Sequence, residues 1–280
     1  MDRQRLSRDI ELFLAEDIGL GDITTQAIFS REQVGMAEFI AKESFVAAGI
    51  DEIVPMVFQT RNPAVDCHAM VKDGSRVAVG DKIFSATGPV VDLLTAERVA
   101  LNLAQRLSGI ATLTAAFVEK IAGFTAKIVD TRKTTPGLRA LEKYAVRIGG
   151  GHNHRFNLAD GVLIKDNHIA ACGSIQKAVD KARFAVPHTI KIEVETENLA
   201  QVEECLAARV EIIMLDNMTP ALMAQAVKLI GGRALVEASG GVNLDNVHEI
   251  AATGVDLISV GALTHSAKAV DISMRLKVGS

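Results

Sequence analysis

TIKIEVET (189–196), EIIMLDN (211–217), ALVEASG (234–240) and LISVGAL (257–263) repeat one unit, an apolar run rich in Ile and Val that ends in a polar residue or a glycine. Each run has the length of a buried strand, and the stretches between them carry helical spacing. Thr219 and Pro220 supply an N-cap and a first-turn proline for one such helix, and Asn243 opens another just after Gly240 and Gly241. Strands and helices in alternation imply a parallel sheet, because parallel neighbours need a crossover connection. AKIVDT (126–131) and GVLIKDN (161–167) carry the same rhythm upstream. From Ala126 to the end there are 155 residues, short of the roughly 250 of an eightfold barrel. The expected fold is α/β with an incomplete TIM-like barrel; a doubly wound open sheet is the alternative.

Upstream the pattern is mixed. Leu6, Ile10, Phe13 and Leu14 mark a first helix, and short strands are expected near 36–41, 64–71 and 82–87, separated by turn signals such as Asp73-Gly74 and Gly80-Asp81. A long helix follows from Leu94 to Ile121, with a break expected at Gly109. These features divide the chain into a small α+β domain over 1–110, including the start of the connecting helix, and a barrel domain over 111–280.

The chain has 280 residues, 49% of them hydrophobic, enough to bury a large core. Cys67, Cys172 and Cys205 are too few and too scattered for a disulfide framework or a zinc site, which fits a reducing cytoplasm. The N-terminus is charged throughout and no run of about 18 apolar residues occurs, so neither export nor a membrane span is expected. A formal net charge of −4 and 4% aromatics argue against nucleic acid as a partner. The charge is uneven, however. Between Thr131 and Lys165 seven Lys or Arg face two acids, a window of +5, so the remainder sums to −9. A cationic cluster within an acidic chain points to a small anionic ligand.

In parallel α/β barrels the site lies at the C-terminal strand ends. Here those ends read Arg132-Lys133, Lys165 to His168, Glu195, Asp216-Asn217, Ser239 to Gly241 and Gly261-Ala262. Bare backbone N–H groups at Ser239, Gly240 and Gly241, and at Gly261 and Ala262 on the next strand, suit a phosphate. His154 and Arg155 suit carboxylates better than a metal, since HxH alone is a poor ligand set. Lys165, at the end of an apolar strand, should face an anion. Glu195 and Asp216 suit sugar hydroxyls or hydrated Mg²⁺, or else pair with the nearby cations. His152 and His168 read equally well as loop or core histidines.

Taken together, EDIGLGDITT (16–25), TAERVALN (95–102), DTRKTTPGLR (130–139), HNHRFNLADGVLIKDNHI (152–169), IEVET (192–196), MLDN (214–217), EASGG (237–241) and ISVGAL (258–263) closely resemble the quinolinate phosphoribosyltransferase family of type II phosphoribosyltransferases. The resemblance implies an N-terminal sandwich-like domain, a barrel of fewer than eight strands, a last helix packed back on the N-terminal domain, and a homodimer that closes each barrel mouth with the partner's N-terminal domain. It implies transfer from phosphoribosyl pyrophosphate to quinolinate with loss of CO₂, assisted by Mg²⁺, in the synthesis of NAD. Arg98 (from the neighbouring subunit), Arg132, His154, Arg155 and Lys165 would surround the quinolinate carboxylates. Lys133 would sit between carboxylate and pyrophosphate. Glu195 and Asp216 would hold ribose hydroxyls or the metal shell, and Ser239, Gly240, Gly241, Gly261 and Ala262 the 5′-phosphate. Lys133, Lys165, Glu195 and Asp216 would carry the catalysis. Two other readings are a paralogous pyrophosphorylase of the kind associated with molybdenum transport, and an inactive phosphate-ligand sensor.

Overall fold

The computed structural model describes residues 2–278. The chain forms two compact units. The first opens with α1 (Arg3–Ile18), α2 (Ile23–Ile28), β1 (Val34–Ala41), β2 (Phe45–Val46), α3 (Ile53–Arg61), β3 (Asp66–Ala69), β4 (Arg76–Val77) and β5 (Lys82–Pro89), and α4 (Val90–Lys120) follows directly. The Asp2 carboxylate caps α1 by accepting from the N–H groups of Gln4 and Arg5, and Leu6, Ile10 and Leu14 fall four apart on its buried face. β5 pairs antiparallel with β1 and β3. Under this sheet the rings of Phe39, Phe58 and Phe84 meet with centroids 5.3 to 6.0 Å apart, all fully buried.

The second unit supplies the parallel sheet. Its strands are β6 (Lys127–Val129), β7 (Val162–Ile164), β8 (Ile192–Thr196), β9 (Ile212–Asp216), β10 (Leu235–Ser239) and β11 (Leu257–Ser259). Between β6 and β7 the chain makes α5 (Arg139–Ile148), and the later strands alternate with α6 (Asp166–Cys172), α7 (Ile175–Ala185), α8 (Leu199–Ala207), α9 (Pro220–Ile230), α10 (Val247–Ala252) and α11 (Ala262–His265). Side chains of Ser174, Asn198 and Thr219 cap α7, α8 and α9. The strand order is β6-β11-β10-β9-β8-β7 and every pairing is parallel. Chain neighbours are therefore sheet neighbours from β7 to β11, and β11 closes on β6, as in a TIM-like barrel. Between β6 and β7 there is only a bridge from Val129 to His152, whose N–H donates to the Ile128 carbonyl at 2.8 Å. The barrel is incomplete at that seam, and an open doubly wound order does not occur.

Three expectations need correction. The last element is a strand, β12 (Ile272–Val278), which pairs antiparallel with β1. Its sequence, ISMRLKV, alternates apolar and polar residues, and that period of two specifies a strand rather than a helix. The units also do not part at a single cut near residue 110. The first includes Thr135–Gly150 and the residues from Ala267 on, while the second takes Ala116–Thr134 and Gly151–Ser266. Side chains explain the return of 135–150: buried Glu142 accepts from Arg106 at 2.8 Å, and the Tyr144 hydroxyl donates to Asp73 at 2.6 Å. Finally, α4 runs through Gly109 unbroken. Glycine is needed there because a Cβ would lie 1.9 Å from the Lys268 carbonyl oxygen. Gly109→Ala should therefore lose about 2 kcal/mol or more of stability, since backbone cannot move aside as a side chain can. Denaturant unfolding with an unchanged midpoint would show that the two segments are not held this closely. Among the described residues no helix is long and apolar enough to cross a membrane.

Candidate active site

Side chains two apart on a strand share a face, and the cavity of the second unit is built from such pairs. A cavity of about 570 Å³ is lined by Leu163 and Lys165, Met214 and Asp216, Glu237 and Ser239, and Ser259 and Gly261, each pair from one strand or its immediate end. That volume is in the range of small-molecule sites. The strand register sets the layers: Ser239 pairs with Asp216, and Glu237 with Met214. The upper layer is polar and the lower one mixes Leu163 and Met214 with Glu237.

Cations ring the upper layer. Arg132 and Lys133 follow β6, Arg155 lies in the loop before β7, and Lys165 begins α6 straight after β7. Lys165 Nζ lies 2.7 Å from Glu195 Oε2, so the pairing of an acidic strand end with a nearby cation is realised. Burial first, and then the neighbouring Arg132 guanidinium, pull Arg155 below its usual range. Cations crowded against one another in a partly dry cavity are arranged for an anion. Lys133 is fixed through its backbone: its N–H donates to Thr131 Oγ1 at 3.1 Å, and its carbonyl accepts from Thr264 Oγ1 at 2.8 Å.

The glycines of the phosphate-like corner have a steric reason. Gly240 and Gly241 have φ of 89° and 61°, and a Cβ on Gly240 would lie 2.2 Å from Asn217 Oδ1. Asn217 itself is left-handed at φ 54°, and its N–H donates to the Ser239 carbonyl at 2.9 Å. Strain of this kind is retained where surrounding structure over-determines it, often at functional sites. The expected helix at Asn243 starts later, at Val247. Asn243 Oδ1 instead accepts from the N–H groups of Asp245 and Asn246, so its side chain makes a turn in place of the first helical bonds.

His154 sits at the floor. Its Nε2 lies 3.3 Å from Glu193 Oε2 and 3.4 Å from Glu237 Oε1, and its Nδ1 accepts from the Arg155 N–H at 2.7 Å. Burial disfavours the imidazolium, but the two carboxylates outweigh it and push the group up to about 10. An imidazolium, however, would turn Nδ1–H against the Arg155 N–H. The neutral Nε2–H ring satisfies the Arg155 contact, whereas the imidazolium answers the two carboxylates, so the two sides of the ring favour opposite protonation states. In this geometry His154 reaches a substrate carboxylate only by giving up a protein partner. Buried Asp130 shapes the same loop, accepting from Asn153 Nδ2 at 2.6 Å and from the His154 N–H at 2.9 Å. Burial raises the Glu193 carboxyl above its usual range.

Twelve of the thirteen expected substrate contacts line this one cavity: Arg132, Lys133, His154, Arg155, Lys165, Glu195, Asp216, Ser239, Gly240, Gly241, Gly261 and Ala262. The thirteenth, Arg98, is not among the lining residues; it is exposed on α4 in the first unit. His168 is a cap, its Nδ1 accepting the Lys165 N–H at 2.9 Å, and His152 contributes its backbone to β6. Sequence reasoning missed Asp130, Glu193, Glu237 and His265. The signal for Glu193 and Glu237 was present, since each stands two residues before an expected site residue on the same strand and so on the same face. His265, which lines the cavity beside Gly261 and Lys133, ends a four-residue helix and carries no periodicity.

Two family models cover the chain: quinolinate phosphoribosyl transferase, N-terminal domain, over residues 22–108, and quinolinate phosphoribosyl transferase, C-terminal domain, over residues 110–275. A Bacillus subtilis (strain 168) protein named "Probable nicotinate-nucleotide pyrophosphorylase [carboxylating]" is 48% identical over 274 residues, covering 98% of this chain and 94% of its own length. "Quinolinate phosphoribosyltransferase [decarboxylating] 1b" of Nicotiana tabacum is 43% identical, covering 95% of this chain and 81% of its own. The crystal structure of NadC from Streptococcus pyogenes superposes with a TM-score of 0.96 at 44% identity, over 100% of this chain and 99% of that one.

Proposed function

The chain belongs to the quinolinate phosphoribosyltransferase family, and on that premise we propose that quinolinate and phosphoribosyl pyrophosphate react in the second unit's cavity to give nicotinate mononucleotide, pyrophosphate and CO₂, a step in NAD biosynthesis. The observation that carries this reading is the convergence in one cavity of four cations, two acidic strand ends and a glycine-lined corner. A dianionic ring, a sugar and a phosphate each find complementary chemistry there.

Arg132, Arg155 and Lys165 hold the two carboxylates, and Lys133 lies between them and the pyrophosphate. The backbone of Ser239 to Gly241, with Gly261 and Ala262, takes the 5′-phosphate. The ring nitrogen attacks the anomeric carbon as the bond to pyrophosphate breaks, and positive charge develops on the sugar while negative charge leaves with pyrophosphate. Lys133 and Lys165 stabilise the leaving charge, and Glu195 and Asp216 complement the cationic sugar. The nitrogen is then a pyridinium centre. Its charge stabilises the electron pair left on the adjacent carbon when the carboxylate departs as CO₂, and a proton takes that place. Holding two substrates in this alignment supplies much of the acceleration.

Glu195 and Asp216 offer hard carboxylate oxygens on adjacent strand ends, a donor set that fits Mg²⁺. Bound there, Mg²⁺ would neutralise pyrophosphate charge. The working form is a cytoplasmic homodimer in which Arg98 of one subunit serves the neighbouring cavity.

The direct test is product formation. Purified protein should form nicotinate mononucleotide and CO₂ from quinolinate only with phosphoribosyl pyrophosphate and Mg²⁺. Nicotinate should be ignored, because it lacks the second carboxylate that engages the cationic cluster. Equal turnover of nicotinate would remove the substrate assignment, and absence of any product would favour the paralogue or the sensor.

A further inference from the structure

The floor of the cavity carries more negative charge than its structural task requires. One acceptor is enough to orient His154 through Nε2–H, yet two buried carboxylates face that nitrogen, Glu193 at 4% exposure and Glu237 at 1%. Oε1 of each is buried and accepts no hydrogen bond, and Glu237 Oε1 has the His154 Nε2 ion contact at 3.4 Å. Even an imidazolium at His154 is one charge against two carboxylates, and the Arg155 guanidinium acts on Glu193. An orphaned buried carboxylate oxygen is costly in the resting protein and calls for an explanation.

The position of Glu237 supplies one. It lines the cavity one layer below Ser239, level with Met214. If the carboxylates of quinolinate go to the four cations of the upper layer, the ring is left to the floor of Leu163, Met214, His154 and Glu237. Resting on the function proposed above, we infer that Glu237 stabilises the positive charge that the ring nitrogen acquires in the reaction, a charge absent from the bound substrate. The same carboxylate repels the dianionic ground state. Such an interaction favours the transition state over the substrate and raises kcat rather than tightening binding.

The test uses Glu237→Gln, which keeps the volume and an oxygen acceptor for His154 but removes the charge. Saturating kcat should fall by on the order of tenfold or more, with KM for quinolinate unchanged or lower. Calorimetric binding separates charge from structure: the variant should bind quinolinate more tightly and N-methylated quinolinate, the same dianion with a cationic ring, more weakly than wild type. If both affinities move in one direction, or neither moves, the inference is overturned. Should Glu237→Gln fail to fold by circular dichroism, Glu237→Met, similar in length and uncharged, is read against the same two ligands with the same opposite shifts expected. A wild-type protein that forms no nicotinate mononucleotide would instead overturn the functional reading, and the two failures are distinct.

Discussion

Replacing Lys133 with alanine is expected to lower kcat/KM by on the order of 10²-fold or more while leaving the fold in place, a loss of about 2.7 kcal/mol of transition-state stabilisation. The side chain is exposed and packs no core. It reaches the phosphate-like corner, where a Cβ on Gly261 would lie 3.2 Å from Lys133 Cδ. What holds the residue in place is its backbone, through Thr131 and Thr264, and alanine keeps both bonds. The loss is therefore confined to an ammonium aimed at the region between the cation ring and Gly261, where pyrophosphate would depart. Steady-state kinetics beside a thermal melt checks this. A variant with wild-type kinetics would remove Lys133 from the mechanism, and one with a much lower melting temperature would show that the side chain has a structural part after all.

The barrel was legible in the sequence because six apolar runs, bounded by capping residues, match six strands, and because parallel order follows from crossover length alone. The site was legible because its residues stand at strand ends, where a period-two run switches to polar or glycine chemistry. What escaped was of two kinds. Glu193 and Glu237 stand inside runs that read as apolar, and only the two-residue spacing to Glu195 and Ser239 places them on the cavity face. The return of Thr135–Gly150 and of β12 to the first unit depends on contacts remote in sequence, Glu142 with Arg106 and β12 with β1, which no local pattern reports. Gly109 misled for the opposite reason. A glycine within a helix reads as a break, whereas here it admits the backbone of Lys268.

Arg98 has no place in the cavity of the structure described here, and its assignment tests the proposed dimer most sharply. It is exposed near the start of α4 in the first unit, while Lys165 begins α6 and pairs with Glu195 in the second. If Arg98 of one subunit serves the cavity of the other, then Arg98→Ala and Lys165→Ala should each be nearly inactive as homodimers, since each removes a cation that binds the anionic substrate. Mixing the two under subunit-exchange conditions changes the arithmetic. In a mixed dimer one cavity holds both lesions and the other holds none, because the intact Lys165 of one chain then meets the intact Arg98 of its partner. With half of the dimers mixed and one of their two cavities working, activity should return to about a quarter of wild type. The Glu195 partner sharpens the reading further: Lys165→Ala leaves Glu195 without its cation, so a Lys165→Met variant, similar in length but uncharged, should behave the same way if charge is what matters. Purified mixed dimers that recover nothing, from mutants that are each folded and dimeric, would place Arg98 in its own chain's chemistry or outside the chemistry altogether.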